Sequence, residues 1–276
     1  MRRACVIGWP IQQSRSPLIH GYWLNRYGID GAYTKEAVRP DELAGFLKSL
    51  AVRGLVGCNV TVPHKEAAFR AADVHDPTAL AVCAANTLWL EGGKLHAANS
   101  DTYGFIQNLD QSAPEWRERV GSVAILGAGG TARAAAFGFL SEGVAEVSIV
   151  ARTTARAEEI AAVLGPKIRV VPWSDLNIRL GDCKVIANTT TLGMNGIGAP
   201  DLDFDRCRPD LIVADAVYTP LLTPFLAAAQ RRGLETVDGL GMLLHQAVLG
   251  FSKWFGVTPE VTDELRRALV RDIEAR

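Results

Sequence analysis

The sequence predicts an α/β protein with mainly parallel sheets. Short runs of β-branched and other apolar residues alternate with segments of helical periodicity along almost the whole chain, which is the pattern of strands connected by helices. The chain has 276 residues, of which 48% are hydrophobic and 21% are charged. This composition suffices for one large or two ordinary globular domains. Because a second series of strands begins near residue 120, we expect two.

The N-terminal part alternates strands with helices. Strand-like runs cover residues 4–8, 32–38 and 55–62, and helical periodicity covers residues 17–27 and 40–50. A Gly92-Gly93 pair then joins the runs 87–90 and 95–98. This arrangement predicts a hairpin, which is an antiparallel element outside the simple alternation.

The C-terminal part carries further short strands, with helices or loops between them, as in a doubly wound dinucleotide-binding domain. These strands are expected over residues 123–126, 147–150, 168–171, 185–187 and 211–214. Two helical segments, 241–255 and 259–275, follow without another strand. They can therefore pack back on the first domain and make it discontinuous.

Charge and composition exclude several kinds of partner and site. The formal net charge is -1 and no basic cluster exceeds two or three residues, so we expect no nucleic-acid binding and no affinity for an anionic membrane surface. No set of His, Cys, Asp and Glu has metal-ligand spacing, so no metal site is expected. No apolar segment has the length of a membrane span or of a signal-peptide core, and we expect a cytoplasmic protein.

The cysteines are odd in number and lack a C-x-x-C pair, which predicts buried free thiols in a reducing compartment. They are Cys5, Cys58, Cys83, Cys183 and Cys207. Among the histidines, only His64 and His245 have neighbours that suggest a function. We expect both to be structural histidines with satisfied hydrogen bonds.

The stretch N-V-T-V-P-H-K, residues 59–65, places polar groups at the end of a strand. Alternation directs Asn59 and Thr61 to one face of the strand and the two valines to the other. Pro63 ends the strand, and Lys65 falls in the first turn of the following helix. A cation there is disfavoured by the helix dipole by about 0.3–1 kcal/mol at an exposed site, so the lysine calls for a functional explanation.

The segment G-A-G-G-T-A, residues 127–132, follows a strand and precedes a helix. It has the pattern G-x-G-x-x-A, which binds the diphosphate of a dinucleotide at a helix N-terminus. Gly127 permits the tight turn, Gly129 lets the backbone approach the diphosphate, and Ala132 allows the helix to pack closely on the strand. A plain glycine-rich turn is the alternative, and the flanking strand and helix favour the nucleotide site.

The next strand ends in A-R-T-T-A-R, residues 151–156. An NAD-binding domain would place Asp or Glu at this point for the ribose hydroxyls, but no acid occurs before Glu158. Arg152 and Arg156 instead suit a 2′-phosphate, because guanidinium groups match phosphate oxygens in geometry and charge. Two solvated surface arginines are the alternative, and the position after the second strand favours NADP(H).

Other polar residues lie next to strand ends in the first domain. Ser14 and Ser16 precede a helix, where at least one is expected to cap it and where two hydroxyls together can hold a carboxylate. Asn86 and Asp101 lie beside strand ends, where side chains can face a crevice. Taken singly, each of these residues would be interpreted as a turn residue.

Together these segments occur in the order and spacing of the shikimate dehydrogenase family, which the chain resembles over essentially its whole length. They are S-R-S-P, N-V-T-V-P-H-K, A-A-N-T, N-S-D-T-Y-G, G-A-G-G-T-A-R, A-R-T-T-A-R, N-T-T-T-L-G-M, D-A-V-Y-T-P-L-L-T-P-F and D-G-L-G-M-L-L-H-Q. Three positions depart from the family's usual pattern. Ser100 replaces Thr in N-T-D, Ala85 replaces Val in V-N-T, and Ala151 replaces the Asn of N-R-T, an amide that can bond the adenosine phosphate.

The resemblance implies an enzyme of aromatic amino-acid biosynthesis that reduces 3-dehydroshikimate to shikimate with NADPH. It also implies a Rossmann-type NADP-binding domain, residues 105–237, inserted into a substrate-binding domain of residues 1–104 and 238–276. The active site would lie in the cleft.

The resemblance also implies a role for each matching residue. Lys65 and Asp101 would form the catalytic pair. The substrate carboxylate would be bound by Ser14, Ser16 and Tyr218, and the ring hydroxyls by Asn59, Thr61, Asn86, Asp101 and Gln246. The cofactor diphosphate would be lined by Gly127, Ala128, Gly129, Gly130, Thr131 and Ala132, and the 2′-phosphate by Arg152, Thr153 and Arg156. Met242 would lie near the nicotinamide, with a place in the apolar core as an equal alternative.

Alternatives to this function remain open on the sequence. A paralogue could act on quinate or an aminated analogue, and the small contacts around Ser14, Ser16 and Thr61 would then decide the preference. A catalytically silent nucleotide-binding sensor is disfavoured, because mere binding needs neither Lys65 nor Asp101. The exposed edge of the first sheet could pair in a homodimer.

Overall fold

A computed structural model describes residues 1–119, 121–179 and 182–275, and the chain divides into two compact units. The first unit comprises Met1–Ser100 and Gln246–Leu269, and the second comprises Asp101–His245 and Val270–Arg276. Each unit is therefore discontinuous in sequence.

The first unit contains a mixed sheet with helices in its connections. Its strands are β1 (Arg2–Gly8), β2 (Gly31–Ala37), β3 (Leu55–Val60), β4 (Val74–His75), β5 (Thr87–Glu91) and β6 (Lys94–Ala98). Its N-terminal helices are α1 (Ser16–Arg26), α2 (Leu43–Lys48), α3 (Lys65–Ala71) and α4 (Pro77–Val82).

The strands of this sheet lie in the order β2-β1-β3-β5-β6-β4. β1 pairs in parallel with β2 and β3, and β4 pairs in parallel with β6. The hairpin predicted around Gly92-Gly93 is confirmed as the antiparallel pair of β5 and β6, and β5 also pairs in antiparallel with β3.

Strand β3 ends earlier than the sequence predicts. Alternation suggested a strand through residue 62 with both valines on one face, yet Val60 is 2% exposed and Val62 is 68% exposed. The backbone N–H of His64 donates to the carbonyl of Thr61 at 3.0 Å, so the chain already turns at Thr61. A turn rotates successive side chains out of the strand's alternation, and the pattern therefore stops at Val60.

The C-terminal segment of the first unit packs onto this sheet through Trp254, which is 1% exposed. The indole N–H of Trp254 donates to the carbonyl of Leu88 at 2.9 Å. A Cβ on Gly57 would lie 2.2 Å from both the Leu88 oxygen and the Trp254 Nε1. Only glycine at position 57 therefore leaves room for this indole against the sheet.

The second unit is a doubly wound domain. Its strands are β7 (Ser122–Leu126), β8 (Glu146–Ala151), β9 (Ile168–Pro172), β10 (Val185–Asn188), β11 (Ile212–Asp215) and β12 (Glu235–Val237). The helices that begin in it are α5 (Asp101–Ser112), α6 (Trp116–Arg119), α7 (Gly130–Ser141), α8 (Thr154–Leu164), α9 (Leu176–Arg179), α10 (Pro224–Gln230) and α11 (Leu240–Phe255). The last helix, α12 (Asp263–Glu274), begins in the first unit and ends in the second.

All pairs in the second sheet are parallel, in the order β12-β11-β10-β7-β8-β9. Val123 and Ile125 belong to one apolar cluster, while Ala124 and Leu126 belong to another. Because both faces of β7 are covered, its sequence is continuously apolar rather than alternating. The strand order reverses between β7 and β10, and this topology confirms the predicted α/β class and the Rossmann-type domain.

The described residues include no helix that is long and apolar enough to cross a membrane. They also include no cluster of three or more His, Cys, Asp and Glu side chains suited to a metal ion. All the cysteines are free thiols. Cys5, Cys58 and Cys183 are buried as expected, but Cys83 and Cys207 are only half-buried because they lie in connections at the ends of elements.

Candidate active site

Lys65 is the first residue of α3, as the sequence predicts, and its side chain is half-buried. Its carbonyl accepts a hydrogen bond from the backbone N–H of Ala85 at 2.9 Å. This bond places the start of α3 beside the segment that carries Asn86. His64, just before it, is buried with its Nε2 2.7 Å from the carbonyl oxygen of Val38, so it is a structural histidine, as expected.

Asn59 and Asn86 share one buried hydrogen-bond network with exposures of 4% and 2%. The Nδ2 of Asn59 donates to the Asn86 carbonyl at 3.1 Å and to Thr87 Oγ1 at 3.3 Å. The Oδ1 of Asn86 accepts from the backbone N–H of Ser100 at 2.8 Å. The structure therefore brings these two predicted residues together at the ends of β3, β5 and β6.

Ser14 and Ser16 are also together, with their hydroxyls 3.3 Å apart. The expectation that one of them caps α1 is wrong: the N-cap position is occupied by Arg15, and no side chain accepts a capping bond. Ser14 Oγ instead accepts from the backbone N–H of Ser16 at 3.3 Å. This local bond forms a serine turn and holds the two hydroxyls side by side.

The remaining predicted substrate residues are spread along the chain. Thr61 is half-buried in the turn after β3, and its backbone N–H donates to the carbonyl of Ile7 at 2.9 Å. Gln246 is half-buried on α11 in the first unit. Asp101 is the first residue of α5 and is 6% exposed, a position where the helix dipole stabilises a carboxylate. Tyr218 is half-buried in the loop after β11.

The glycine-rich loop has the shape that the sequence predicts for anion binding. Gly127 has a φ of 110°, and a Cβ there would lie 3.0 Å from atoms of Thr189 and Thr190. Gly129 caps α7, and Gly129 and Gly130 are exposed, with open space where a Cβ would be. Backbone N–H groups at the start of this helix are accessible to an anion, so a dinucleotide diphosphate fits the loop.

The packing role predicted for Ala132 agrees with its place, since it is fully buried in the apolar cluster against β7. Met242 lies in the same cluster and is 9% exposed. Ala128 packs partly buried against that cluster, and Thr131 is half-buried in the first turn of α7. Ala128 and Ala132 thus attach the loop to the apolar cluster, whereas Gly129 and Gly130 remain exposed.

Arg152, Thr153 and Arg156 are exposed at the junction of β8 and α8. β7 and β8 are parallel with Leu126 beside Val150, so Gly127 and Arg152 leave the same edge of the sheet on neighbouring strands. In the described part of the chain, neither arginine has an ion pair or a side-chain hydrogen bond. Two unpaired guanidiniums beside the glycine-rich loop fit a 2′-phosphate.

Asp215 was not predicted as a site residue, yet it organises the loop that carries Tyr218. Its Oδ1 accepts from Asn188 Nδ2 and from the backbone N–H of Val217, each at 2.9 Å, and its Oδ2 accepts from Thr223 Oγ1 at 2.7 Å. Burial raises the pKa of Asp215 to about 6, although these hydrogen bonds oppose the shift. The recurrence of a polar residue at the end of β11, as at β10, is the signal that could have identified it.

Replacing Asp215 with asparagine is expected to change how stability depends on pH. The raised pKa means that the native state takes up a proton below about pH 6 while the unfolded state does so only near 3.8, so wild type gains stability as pH falls through 6. Between pH 7 and pH 5 the free energy of unfolding of wild type should rise by about 1 kcal/mol relative to Asp215→Asn. Urea unfolding of both proteins at each pH measures this difference.

The comparison between the two proteins cancels every titration that they share. A constant difference between wild type and Asp215→Asn from pH 7 to pH 5 would show that the carboxylate is ionised throughout.

Family models match most of the chain in three consecutive segments. They describe the shikimate dehydrogenase substrate binding domain over residues 6–88, shikimate/quinate 5-dehydrogenase over 112–197 and the shikimate 5′-dehydrogenase C-terminal domain over 239–269.

Relatives of known name match the chain from end to end. A shikimate dehydrogenase (NADP(+)) of Azorhizobium caulinodans is 50% identical over 276 residues, covering 100% of this chain and 98% of the relative. The protein of the same name from Brucella canis is 50% identical over 275 residues, covering 99% of this chain and 95% of the relative.

Solved structures show the same fold. Shikimate 5-dehydrogenase of Thermus thermophilus, in complex with NADP(H) and shikimate, is 32% identical with a TM-score of 0.88, covering 99% of this chain and 100% of the other. Quinate dehydrogenase of Corynebacterium glutamicum, in complex with NAD, is 26% identical with a TM-score of 0.90, covering 98% and 99%. From its sequence, its fold and its full-length relatives, the chain belongs to the shikimate dehydrogenase family.

Proposed function

We propose that the chain is an NADP-dependent shikimate dehydrogenase that interconverts 3-dehydroshikimate and shikimate. The observation that carries this proposal is the position of Lys65, whose backbone is hydrogen-bonded to the segment that carries Asn86. A lysine that can act as acid or base thus lies beside a buried amide network that can orient a polyhydroxylated ring. Relatives named shikimate dehydrogenase (NADP(+)) match the chain over its full length at 50% identity, which supports the same reaction.

The proposed binding site has a part for the substrate and a part for the cofactor. The substrate-binding domain would comprise residues 1–104 and 238–276, and the NADP-binding domain residues 105–237. The cofactor would be held by Gly127, Ala128, Gly129, Gly130, Thr131 and Ala132 at its diphosphate, by Arg152, Thr153 and Arg156 at its 2′-phosphate, and by Met242 near the nicotinamide. When bound, the reduced cofactor supplies a hydride.

The substrate would be oriented by its carboxylate and its ring hydroxyls. The adjacent hydroxyls of Ser14 and Ser16, together with Tyr218, would bind the carboxylate. The ring hydroxyls would be bound by Asn59, Thr61, Asn86, Asp101 and Gln246. Holding both ends of a small rigid ring fixes which carbon faces the cofactor and converts binding energy into orientation.

Lys65 would carry the acid/base step with Asp101. As ketone becomes alcohol, negative charge develops on the carbonyl oxygen, and the cationic ammonium of Lys65 would stabilise this charge and then transfer a proton to the oxygen. The carboxylate of Asp101 would orient the ammonium and accept a hydrogen bond from the neighbouring hydroxyl. In the reverse direction the neutral amine would take the proton from the hydroxyl.

Steady-state kinetics of the purified protein test the function. We expect turnover with shikimate and NADP. Because the exposed arginines favour the 2′-phosphate, kcat/KM with NADP should be at least tenfold higher than with NAD. With NADP as cofactor, kcat/KM for shikimate should also be at least tenfold higher than for quinate. A preference for quinate with NAD would assign the chain to the activity named for the Corynebacterium glutamicum protein. Absence of turnover with every pair, while NADP binds, would identify a silent nucleotide-binding protein.

We further propose that the protein works in the cytoplasm and forms a homodimer. All its cysteines are free thiols, and burial raises the pKa of both Cys183 and Cys207 to about 11, which suits a reducing compartment. β2 is an edge strand of the first sheet and could pair with a second copy. Fractionation of the source cells and sedimentation equilibrium test these two proposals.

A further inference from the structure

The segment N-T-T-T-L-G-M, residues 188–194, is a motif of the chain that the proposed site does not use. It follows β10 as the glycine-rich loop follows β7, and the two strands pair in parallel with Asn188 beside Leu126. Because the strand order reverses between β7 and β10, a crevice for a ligand is expected at their carboxyl ends. The glycine-rich loop borders this crevice on one side, and the residues after Asn188 border it on the other.

Asn188 is fully buried and uses every hydrogen-bonding group of its amide within the protein. Its Nδ2 donates to the carbonyl of Leu192 at 3.0 Å and to Asp215 Oδ1 at 2.9 Å. Its Oδ1 accepts from the backbone N–H of Thr190 at 3.1 Å and from the hydroxyl of the same residue at 2.7 Å. An amide has two N–H groups and two lone pairs on its oxygen. Asn188 therefore has no group left for a ligand and can act only through its neighbours.

These bonds hold the residues after β10 against the glycine-rich loop. The hydroxyl of Thr190 donates to Asn188 and accepts from the backbone N–H of Leu192 at 3.1 Å. The methyl group of Thr190 faces Gly127, where a Cβ would lie 3.0 Å from it. Thr189 is fixed by its backbone N–H and its hydroxyl, which donate to the last carbonyl of β7 at 2.9 and 2.8 Å. The Asn188 amide thus fixes the distance between this wall of the crevice and the turn at Gly127.

Asp215 extends the network to the loop that carries Tyr218. Its Oδ1 accepts from Asn188 and also from the backbone N–H of Val217, the residue before the tyrosine. A further bond joins the two loops directly, because the backbone N–H of Asn195 donates to the carbonyl of the residue after the tyrosine at 2.7 Å. The loops after β10 and β11 are therefore held together as one body.

We propose that Asn188 and Asp215 are positioning residues that join the cofactor crevice to Tyr218. Asn188 holds the wall opposite the glycine-rich loop, and Asp215 holds both Asn188 and the loop of Tyr218. Both act through the residues that they hold rather than by contact with a ligand. The inference rests on the proposed function, which gives the glycine-rich loop to the cofactor diphosphate and Tyr218 to the substrate carboxylate.

Asn188→Ala is expected to raise the dissociation constant of NADPH about tenfold, because the crevice loses the buried hydrogen bonds that fix its wall. The dissociation constant of NADH should rise by the same factor, since β7 lies between β10 and the strand β8 that leads to the exposed arginines. Titration of the purified protein with each reduced cofactor, followed by fluorescence, measures both constants without turnover.

Asn177→Ala is the matched control for this variant. The Asn177 side chain also joins two backbone segments of the second unit, because it donates to the carbonyl of Asp201 at 3.0 Å and accepts from the N–H of Asp203 at 2.7 Å. The control should leave the dissociation constants of NADPH and NADH unchanged.

Two variants of Asp215 separate positioning from charge. Asp215→Ala removes the connection and should raise both the dissociation constant of NADPH and KM for shikimate by about fivefold. In Asp215→Asn, the amide oxygen can still accept from Asn188 and Val217 while the NH2 group donates to Thr223 Oγ1. This variant should therefore recover most of both losses. In the double variant Asn188→Ala/Asp215→Ala, the dissociation constant of NADPH should rise by less than the product of the single effects.

Thr190→Val tests the same wall with less disturbance of folding. It keeps a methyl group at Gly127 and removes only the hydroxyl between Asn188 and Leu192, so the dissociation constant of NADPH should rise about threefold.

Three outcomes would overturn the proposal. They are unchanged dissociation constants in Asn188→Ala and Thr190→Val, a rise for NADPH without one for NADH, and single effects of Asn188→Ala and Asp215→Ala that multiply. A lower melting temperature with unchanged constants would assign the network to stability alone. If wild type binds NADPH but does not oxidise shikimate, the proposed function fails, whereas the cofactor titrations still test the wall of the crevice.

Discussion

Lys65→Ala is expected to lower kcat for shikimate oxidation by about three orders of magnitude. Removing the general acid/base costs on the order of 10²–10⁴ in rate, and the same change removes the cation that stabilises the alkoxide. Lys65 is not among the residues proposed to hold the cofactor, so KM for NADP should stay within about twofold. Stopped-flow and steady-state measurements of NADPH formation give both quantities.

Two further variants separate the possible contributions of Lys65. Lys65→Arg keeps the positive charge but cannot release a proton near neutral pH, so it should recover binding of shikimate and little of kcat. Lys48→Ala removes an exposed lysine from α2 in the same unit and should leave the kinetics unchanged. If Lys65→Ala turns over within tenfold of wild type, Lys65 has no part in proton transfer.

The double variant Arg152→Ala/Arg156→Ala is expected to lower kcat/KM for NADP by about 100-fold and to leave the value for NAD nearly unchanged. The two guanidiniums are exposed and unpaired in the described part of the chain, so they are available to a 2′-phosphate. Charge-assisted hydrogen bonds to phosphate contribute roughly 1.5–3 kcal/mol each. The loss should therefore appear only with the cofactor that carries this phosphate.

The control for this variant is Arg169→Ala/Arg231→Ala, which removes the same charge from the surface of the same unit. It should lower neither value, because general electrostatic attraction of an anionic cofactor is screened over about 10 Å at 0.1 M salt. Equal losses with NADP and NAD in Arg152→Ala/Arg156→Ala would assign the arginines to the diphosphate instead. An unchanged ratio would make them surface charges.

The features that the sequence predicts well are those determined by residues that are consecutive in the chain. The covered strand β7 is a continuous apolar run, and the turn of Gly127 follows it directly, so strand, loop and helix can be identified from one segment. Lys65 could be placed at a helix start because Pro63 stands two residues before it. The edge strands β4 and β12 escaped prediction because two or three residues are too few to show a period.

The residues that escaped prediction are those defined by distant partners. In the sequence, Tyr33 looks like any aromatic residue of an alternating strand. Its stacking on His20 and its hydrogen bond to Asn59 could not be predicted, because those two residues belong to other elements. The cap expected at Ser14 or Ser16 was wrong because a bond between the serines competes with capping. Local patterns therefore locate the strand ends, whereas the hydrogen bonds among them arise only when the sheets assemble.

The indole of Trp254 against Gly57 has a consequence for how the chain folds during synthesis. Gly57 and Leu88 are made early, but the ring that packs on them leaves the ribosome only after the whole of Asp101–His245. Until that ring is synthesised, the sheet of the first unit has an uncovered apolar surface, although most of the second unit has already been made. The first unit therefore completes its folding last, which reverses the usual order in which N-terminal domains fold first. Stalled nascent chains that end before residue 246 should show protease resistance in the Rossmann-type domain and sensitivity in the first 100 residues.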